Sequence, residues 1–449
     1  MVDMAARASP TDSSAQAAIS PRQVTAAVIG NALEFYDFTT YAYFAVQIGD
    51  AFFPGGTPYE RLMLSLATFG AGFFSRPIGA IVIGSLADRV GRRPAMLLSF
   101  ALMGFAILGL ALTPTYAKIG LWAPLMALGF RLLQGFALGG EVGPTTAFLI
   151  ESAPPGQRGL YGGWQGASQG VATLFGGLIG LGLSTHLSTH DLNAWGWRIA
   201  FLIGALVLPF GLIIRRNLPE TRHHVEEANA AHPQTISLRG HLRLILLGLA
   251  LIGSFTTATY VFQYMTTYAS TTLHMKAGLA FGATVISGAV GLVFTLLGGA
   301  LSDRFGRRTL VLIPRTLFLL ATYPAFVLMV RNHDGVTLLT AVGLMGALSS
   351  MSSGPGLILL AESVRKEVRS LVLATVYAVA LAVFGGTTQM IITALIHVTG
   401  DPLAPAWYMM AATAVGIVAV GLMTETASRS KIAPENASKG ETASPRPMG

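Results

Sequence analysis

The stretch GSLADRVGRR (84–93) returns later in the chain as GALSDRFGRR (299–308). In both copies an aspartate is followed across a glycine by two arginines, and each copy separates two apolar runs. A second pair recurs at nearly the same offset, LIESAPPGQRG (149–159) and LAESVRKEVRS (360–370), with Glu151 matching Glu362 and Arg158 matching Arg369. Two motifs repeated at nearly one spacing indicate a duplicated unit.

The runs around these motifs set the fold class. A membrane-spanning helix needs about 20 predominantly apolar residues. Windows of that kind lie near 24–50, 60–86, 94–114, 120–150, 160–187 and 196–214, and again near 241–268, 277–301, 309–330, 336–362, 369–398 and 403–424. The expectation is an all-α membrane protein of twelve transmembrane helices in two six-helix pseudo-repeats. The domains are a tail 1–23, a bundle 24–214, a central loop 215–240, a bundle 241–424 and a tail 425–449. The 449 residues are 52% apolar and 11% charged, where a soluble domain carries about a quarter charged. Duplicated apolar halves with a site at their interface are the layout of secondary transporters.

Lysine and arginine orient the chain. Most of the 29 fall in the tails and the even-numbered loops, Arg315 among them. Arg61, Lys118, Arg198, Lys276 and Arg331 fall on the opposite side, and Arg76 and Arg131 sit inside spans. The positive-inside bias puts both termini and the central loop in the cytoplasm, at the inner (cytoplasmic) membrane of the cell. Topology and lipid headgroups thus explain the net charge of +8 without nucleic acid. The start of the chain lacks the basic-then-apolar layout of a cleaved signal peptide, so the first span is expected to be retained. The absence of cysteine excludes disulfides and Cys-ligated metal.

The repeated D-R-x-G-R-R loops resemble the signature of the major facilitator superfamily. NALEFYDF, SRPIGA, RLLQGFALGGE, WQGASQG, WGWRIAFLIG and VFGGTTQ resemble the metabolite:proton symporter family, and the ending TGDPLAPAWYMM resembles its citrate and tricarballylate symporters. The similarity runs over essentially all of 24–424. It implies proton-coupled import of a tricarboxylate by alternating access. It also implies that the loop motifs are gating contacts: Asp88, Arg92, Arg93, Glu151 and Arg158 in the first half, Asp303, Arg307, Arg308, Glu362 and Arg369 in the second. One departure is Gln389, where several citrate transporters of the family have proline. That removes a kink and adds a donor and an acceptor.

Charges inside the membrane are costly and face a cavity or a partner. Glu34, Asp37, Arg76, Arg131 and Glu141 are such charges. At about 1.5 Å per helical residue, Asp37, Arg76 and Glu141 lie roughly 15–20 Å from the cytoplasmic ends of their helices, and Arg131 about 30 Å. Asp37 with Arg131 resembles the acid–arginine pair of proton-coupled sugar porters. The proton affinity of a carboxyl changes when a neighbouring cation approaches or leaves. Asp37, Glu34 and Glu141 are therefore the proton-coupling candidates. The structural alternative stays open for each of them, as Glu34 can serve as a hydrogen-bonder and Glu141 as a partner of Arg76.

An anionic substrate needs cations and donors. Arginine offers a planar fork that matches a carboxylate, so Arg131 and Arg76 are the first substrate candidates. Asn31, Tyr41, Gln134, Gln165, Gln169, Tyr260, Tyr264 and Gln389 follow as neutral donors, with Thr256, Thr257, Gln263 and Thr267 adding to a polar helix 7. Gln165 and Gln169 are four apart and share a face. For each residue the competing reading is a satisfied interhelical hydrogen bond.

No nucleophile–base constellation, nucleotide loop or metal-binding core stands out, so an enzyme, a cofactor and a metal are not expected. The partners expected are a small carboxylate, protons and the bilayer, with no nucleic acid, and the chain is expected to be a monomer. The alternatives are a family member with a different substrate (dicarboxylate, aromatic acid or betaine), a proton-coupled metabolite or drug exporter, and a non-transporting nutrient sensor.

Overall fold

The computed structural model describes residues 21–90, 92–139, 149, 153–154, 156–205, 242–364 and 369–426, and among them there is no strand. The first half runs α1 (Pro21–Tyr43, continued by Ala45–Phe52 after a break at Phe44), α2 (Pro58–Val90), α3 (Arg92–Leu112), α4 (Trp122–Leu138), α5 (Arg158–His186) and α6 (197–205). The second runs α7 (Leu242–Thr271), α8 (Ala277–Phe305), α9 (Arg307–Asn332), α10 (Gly335–Ser363), α11 (Arg369–Ala380, a π-helical turn Leu381–Gly385, then Gly386–Thr399) and α12 (Ala404–Gly421). Every sequence window thus carries a helix. Eight of the described helices are long and apolar enough to cross a membrane, and Leu97–Leu112 and Trp122–Leu138 are shorter apolar ones. Helices are the expected solution, because backbone groups in hydrocarbon must be satisfied within the segment. The central loop 215–240 and most of both tails lie outside the described residues.

The repeated motif has a structural reason for its glycine. Gly306 joins α8 to α9 with φ of +94°, a conformation that L side chains rarely adopt. The turn is pinned by Glu425 beyond α12, whose carboxylate accepts from the backbone N–H groups of Arg307 (2.8 Å) and Arg308 (3.0 Å).

The halves meet along α5 and α8. Glycines line this seam: a Cβ at Gly159 would collide with the carbonyl of Gly299, and one at Gly288 with the backbone of Leu174. Small residues that let backbones approach are how membrane helices pack without a hydrophobic drive. We expect Gly288→Val to force the pair apart at a cost of about 1–3 kcal/mol or more. Thermal unfolding of purified protein should show a clear drop. Gly182→Ala, which meets nothing within 4 Å, should show none.

At the end of the bundle away from the termini the halves also touch. Phe44 of the first packs on Phe281 of the second at 5.0 Å between centroids, and Tyr59 stacks on His397 at 3.7 Å and 10°. Nearer the middle, Gly70 and Gly386 bring the backbones of α2 and α11 together. The π turn before Gly386 keeps α11 irregular even though Gln389 stands in place of a proline.

Candidate functional site

Between the halves lies a cavity of about 170 Å³, walled by α1 and α5 on one side and α7, α8, α10 and α11 on the other. Its first-half wall carries Thr39, Gln165, Gln169 and Thr173, and its second-half wall Thr256, Tyr260, Gln263, Ser349, Ser353 and Tyr377. The lining begins at Gly162, four residues into α5 and so about 6 Å from that helix's start. The cavity therefore sits mid-bundle, displaced toward the end that carries the termini. Phe44–Phe281 and Tyr59–His397 hold the halves together at the other end.

Helical periodicity explains which candidates face the cavity. On α7, Thr256, Tyr260 and Gln263 recur at i, i+4 and i+7 and share one face, while Thr257, Tyr264 and Thr267 point elsewhere. Gln165 and Gln169 share a face on α5 and both line the cavity. The Gln165 amide is buried, with neither its oxygen nor its nitrogen hydrogen-bonded. Buried polar groups are normally satisfied, so this amide is poised for a ligand.

The remaining neutral candidates lie off the cavity lining, and for most of them the structure gives a packing role in place of ligation. Asn31 donates to Ser168 and ties α1 to α5. Tyr264 accepts from Thr393 at 2.9 Å. Gln389 makes one long bond, 3.5 Å to the Tyr260 carbonyl. Gln134 accepts from Arg131 at 2.6 Å, and the Tyr41 ring lies 4.6 Å from the Arg131 guanidinium carbon. Each sits on a helix face turned to a neighbouring helix, so a polar residue type alone did not place it at the site.

Arg131 and Arg76 are both buried one layer behind the wall. The guanidinium carbon of each lies 4.2 Å from the centroid of Phe38. Arg131 also faces Phe69 at 4.9 Å, and its fork donates to Gln134 and, at longer range, to the carbonyls of Phe38 (3.5 Å) and Phe69 (3.4 Å). Arg76 also faces Phe73 at 4.6 Å. Its Nε and Nη2 have no hydrogen-bond partner. Among the described residues neither arginine has a carboxylate within ion-pair distance. An aromatic face supplies about 2 kcal/mol when desolvated, against several kcal/mol for burying each ion. Among the described residues, no carboxylate compensates either of these two positive charges behind the cavity.

The acids lie on the opposite face of α1. Glu34 and Asp37 share a small cavity of about 10 Å³ with Ser99, Phe100 and Met103 of α3 and Ala137 and Leu138 of α4. Asp37 Oδ1 has no hydrogen-bond partner and packs against Gly204 of α6. The expected Asp37–Arg131 ion pair is not formed: the arginine contacts Phe38, the next residue, so the two communicate through one peptide of α1. Glu141 lies outside the described residues.

The motif residues of the second half assemble at the terminus end. Asp303 of α8 accepts from the N–H groups of Gly159 (2.9 Å) and Leu160 (3.2 Å), and so crosses to the first turn of α5, where a carboxylate suits the helix dipole. Arg307 donates to Asp303 (2.7 Å) and to Ser302 (2.7 Å), and its Nε lies 3.5 Å from Glu362, which accepts from Thr426. Arg308 donates to the Gly421 carbonyl. Arg158 is exposed at the start of α5. Glu151 and the side chains of Asp88, Arg92, Arg93 and Arg369 lie outside the described residues.

Sequence reasoning missed two things. Arg315, counted as a loop cation, is buried inside α9, eight residues past Arg307. Ser349, Ser350 and Ser353 in SSMSSG, with Tyr377 of α11, line the cavity. A run of hydroxyls inside an apolar span was the available signal.

Residues 27–295 match the family model described as Major Facilitator Superfamily, and 222–435 match Sugar (and other) transporter. The chain is 36% identical over 410 residues to the citrate-proton symporter of Salmonella typhi, covering 91% of this chain and 94% of that one. It is 38% identical over 398 residues to that of Klebsiella pneumoniae, covering 87% and 88%. Among solved structures it is similar to a D-xylose-proton symporter, with a TM-score of 0.74 at 18% identity, covering 90% and 98%.

Proposed function

This chain belongs to the major facilitator superfamily, and from that premise we propose that it is a proton-coupled symporter importing a tricarboxylate such as citrate or tricarballylate by alternating access. The observation that carries the substrate class is the pair Arg76 and Arg131, buried without a carboxylate partner among the described residues and set behind a cavity rich in neutral donors. A polyanion in that cavity gains from both positive charges and from the unpartnered Gln165 amide. A zwitterion or an apolar drug leaves at least one of the two charges unmatched. Arg76 contributes field, Arg131 field together with the planar fork and ring contacts that hold Phe38 of α1 in place, Gln165, Gln169 and Tyr260 direct contacts, and Asp37 with Glu34 the proton site.

In this reading the protein lies in the cytoplasmic membrane as a monomer, and the distribution of lysine and arginine supports both termini inside. The halves 24–214 and 241–424 then rock about the cavity, the Tyr59–His397 end facing outward and the Asp303–Arg307–Glu362 cluster gating the inner end. Uptake of labelled citrate into proteoliposomes, with and without an inward proton gradient, tests this reading. Gradient-driven uptake competed mainly by unlabelled tricarballylate, over succinate, shikimate and betaine, is the expected result. A functional protein that carries another solute and no citrate sinks the substrate class.

The gate carries its own prediction. Asp303→Asn removes the charge that clasps α5, a charge-assisted contact of about 1.5–3 kcal/mol. Uptake should fall about tenfold or more while citrate affinity in detergent changes less than about twofold. Equal loss of both would place Asp303 outside a gating role.

A further inference from the structure

Among the described residues four arginines are buried, Arg76, Arg131, Arg307 and Arg315, and of the two in the second half Arg307 is paired with Asp303 and Glu362 while Arg315 is not. Its Nη2 donates to the carbonyl (2.7 Å) and hydroxyl (2.8 Å) of Ser254 on α7, and its Nη1 to the hydroxyl of Ser349 on α10 (3.1 Å). Its carbon lies 4.6 Å from the centroid of Phe255 and 5.1 Å from that of Phe318. Every one of these partners is neutral, and among the described residues no carboxylate lies within ion-pair distance. A tie between three helices needs donors but no net charge, and an unpaired buried charge is costly. The charge itself therefore asks for a counter-ion.

Two of its contacts, Ser349 and Phe255, are cavity wall. Ser349 differs from Ser352 and Ser353 in one respect. Ser352 and Ser353 spend their hydroxyl protons on helix carbonyls three residues back, whereas Ser349 makes no such bond and accepts from Arg315. With a lone pair engaged by the guanidinium, the Ser349 proton is free for an acceptor in the cavity.

We propose that Arg315 is the positive charge the second half supplies to the carboxylate site, a positioning residue that acts through Ser349. This deepens the tricarboxylate reading above and rests on it. One carboxylate of the substrate takes the Ser349 proton under the field of Arg315, while the others face Gln165 and the first-half arginines. The anion then bridges both walls, and its charge draws the halves together in a way a neutral solute cannot.

Binding of tricarballylate and of glutarate to purified protein tests this in the wild type and in Arg315→Gln, Arg315→Lys and Ser349→Ala. Arg315→Gln should weaken tricarballylate by about 30-fold, the size of one charge interaction across about 8 Å at an effective dielectric of about 20. Glutarate, short of one carboxylate, should weaken by less than about 5-fold. Arg315→Lys should restore most of the loss, and Ser349→Ala should show the same ligand preference at about 5–10-fold. Equal weakening of both ligands without rescue by lysine makes Arg315 a structural tie and overturns the proposal, as does unchanged binding. If Arg315→Gln fails to fold, Ser349→Ala and Arg315→Lys decide by the same ligand ratio. Wild-type protein that binds another solute and no tricarboxylate overturns the reading itself, and this proposal with it.

Discussion

Asp37→Asn is expected to abolish gradient-driven accumulation of substrate while leaving counterflow exchange measurable. The carboxyl is buried between α1, α3, α4 and α6, and Oδ1 has no hydrogen-bond partner. It does not line the substrate cavity, so its loss should leave the contacts of the solute in place. Asparagine keeps the shape and fixes the neutral state, which is what a protonated carboxyl presents. A carrier held in that state can still alternate when loaded. It cannot release a proton inside, so the gradient no longer drives net movement. The test is accumulation against exchange in the same proteoliposomes, at equal protein orientation. Full accumulation by the mutant removes Asp37 from coupling and moves attention to Glu34, which shares its cavity. Loss of exchange together with accumulation would mean that the site carries structure as well as coupling.

The spans were legible because a run of about 20 apolar residues has one stable form in a bilayer. Within the second half, the structure brings the repeated Asp303 and Glu362 motifs together at Arg307. The cavity was legible only where periodicity did the sorting. Gln165 with Gln169, and Thr256 with Tyr260 and Gln263, fall on single faces and line it. Asn31, Tyr41, Gln134, Tyr264 and Gln389 are equally polar, yet a polar residue on a buried helix has two uses, and spacing does not say which neighbour its face will meet. Asp37 and Arg131 illustrate the limit. Depth along each helix left Arg131 about 10 Å beyond Asp37, a gap its long side chain partly closes, while their rotation about the helix axes keeps them from pairing. Arg315 was misread. It was counted with the loop cations although it falls inside the 309–330 window, and two turns of helix past Arg307 carry it into the core.

Arg131→Ala should weaken anion binding by about 100-fold, and Arg131→Lys should rescue little of it. Removing one partner of a desolvated charge interaction costs about 2–5 kcal/mol, and 100-fold lies within that range. Arg131 is fully buried and its fork reaches three acceptors on three helices: Gln134 of α4, the Phe38 carbonyl of α1 and the Phe69 carbonyl of α2. An ammonium cannot hold that planar arrangement, nor stack on Phe38, Tyr41 and Phe69 as a guanidinium does. The lysine variant keeps the charge and loses the geometry, which separates field from position. If lysine restores binding, the charge alone matters and the stacked rings are packing. If binding survives in Arg131→Ala while accumulation fails, the arginine serves Asp37 through Phe38 instead of the substrate. The mutant must first be shown monodisperse with wild-type helicity, because deleting so large a side chain from among three rings leaves a void. Two measurements on one variant, equilibrium binding and driven uptake, thus separate the two roles that the shared contact with Phe38 joins.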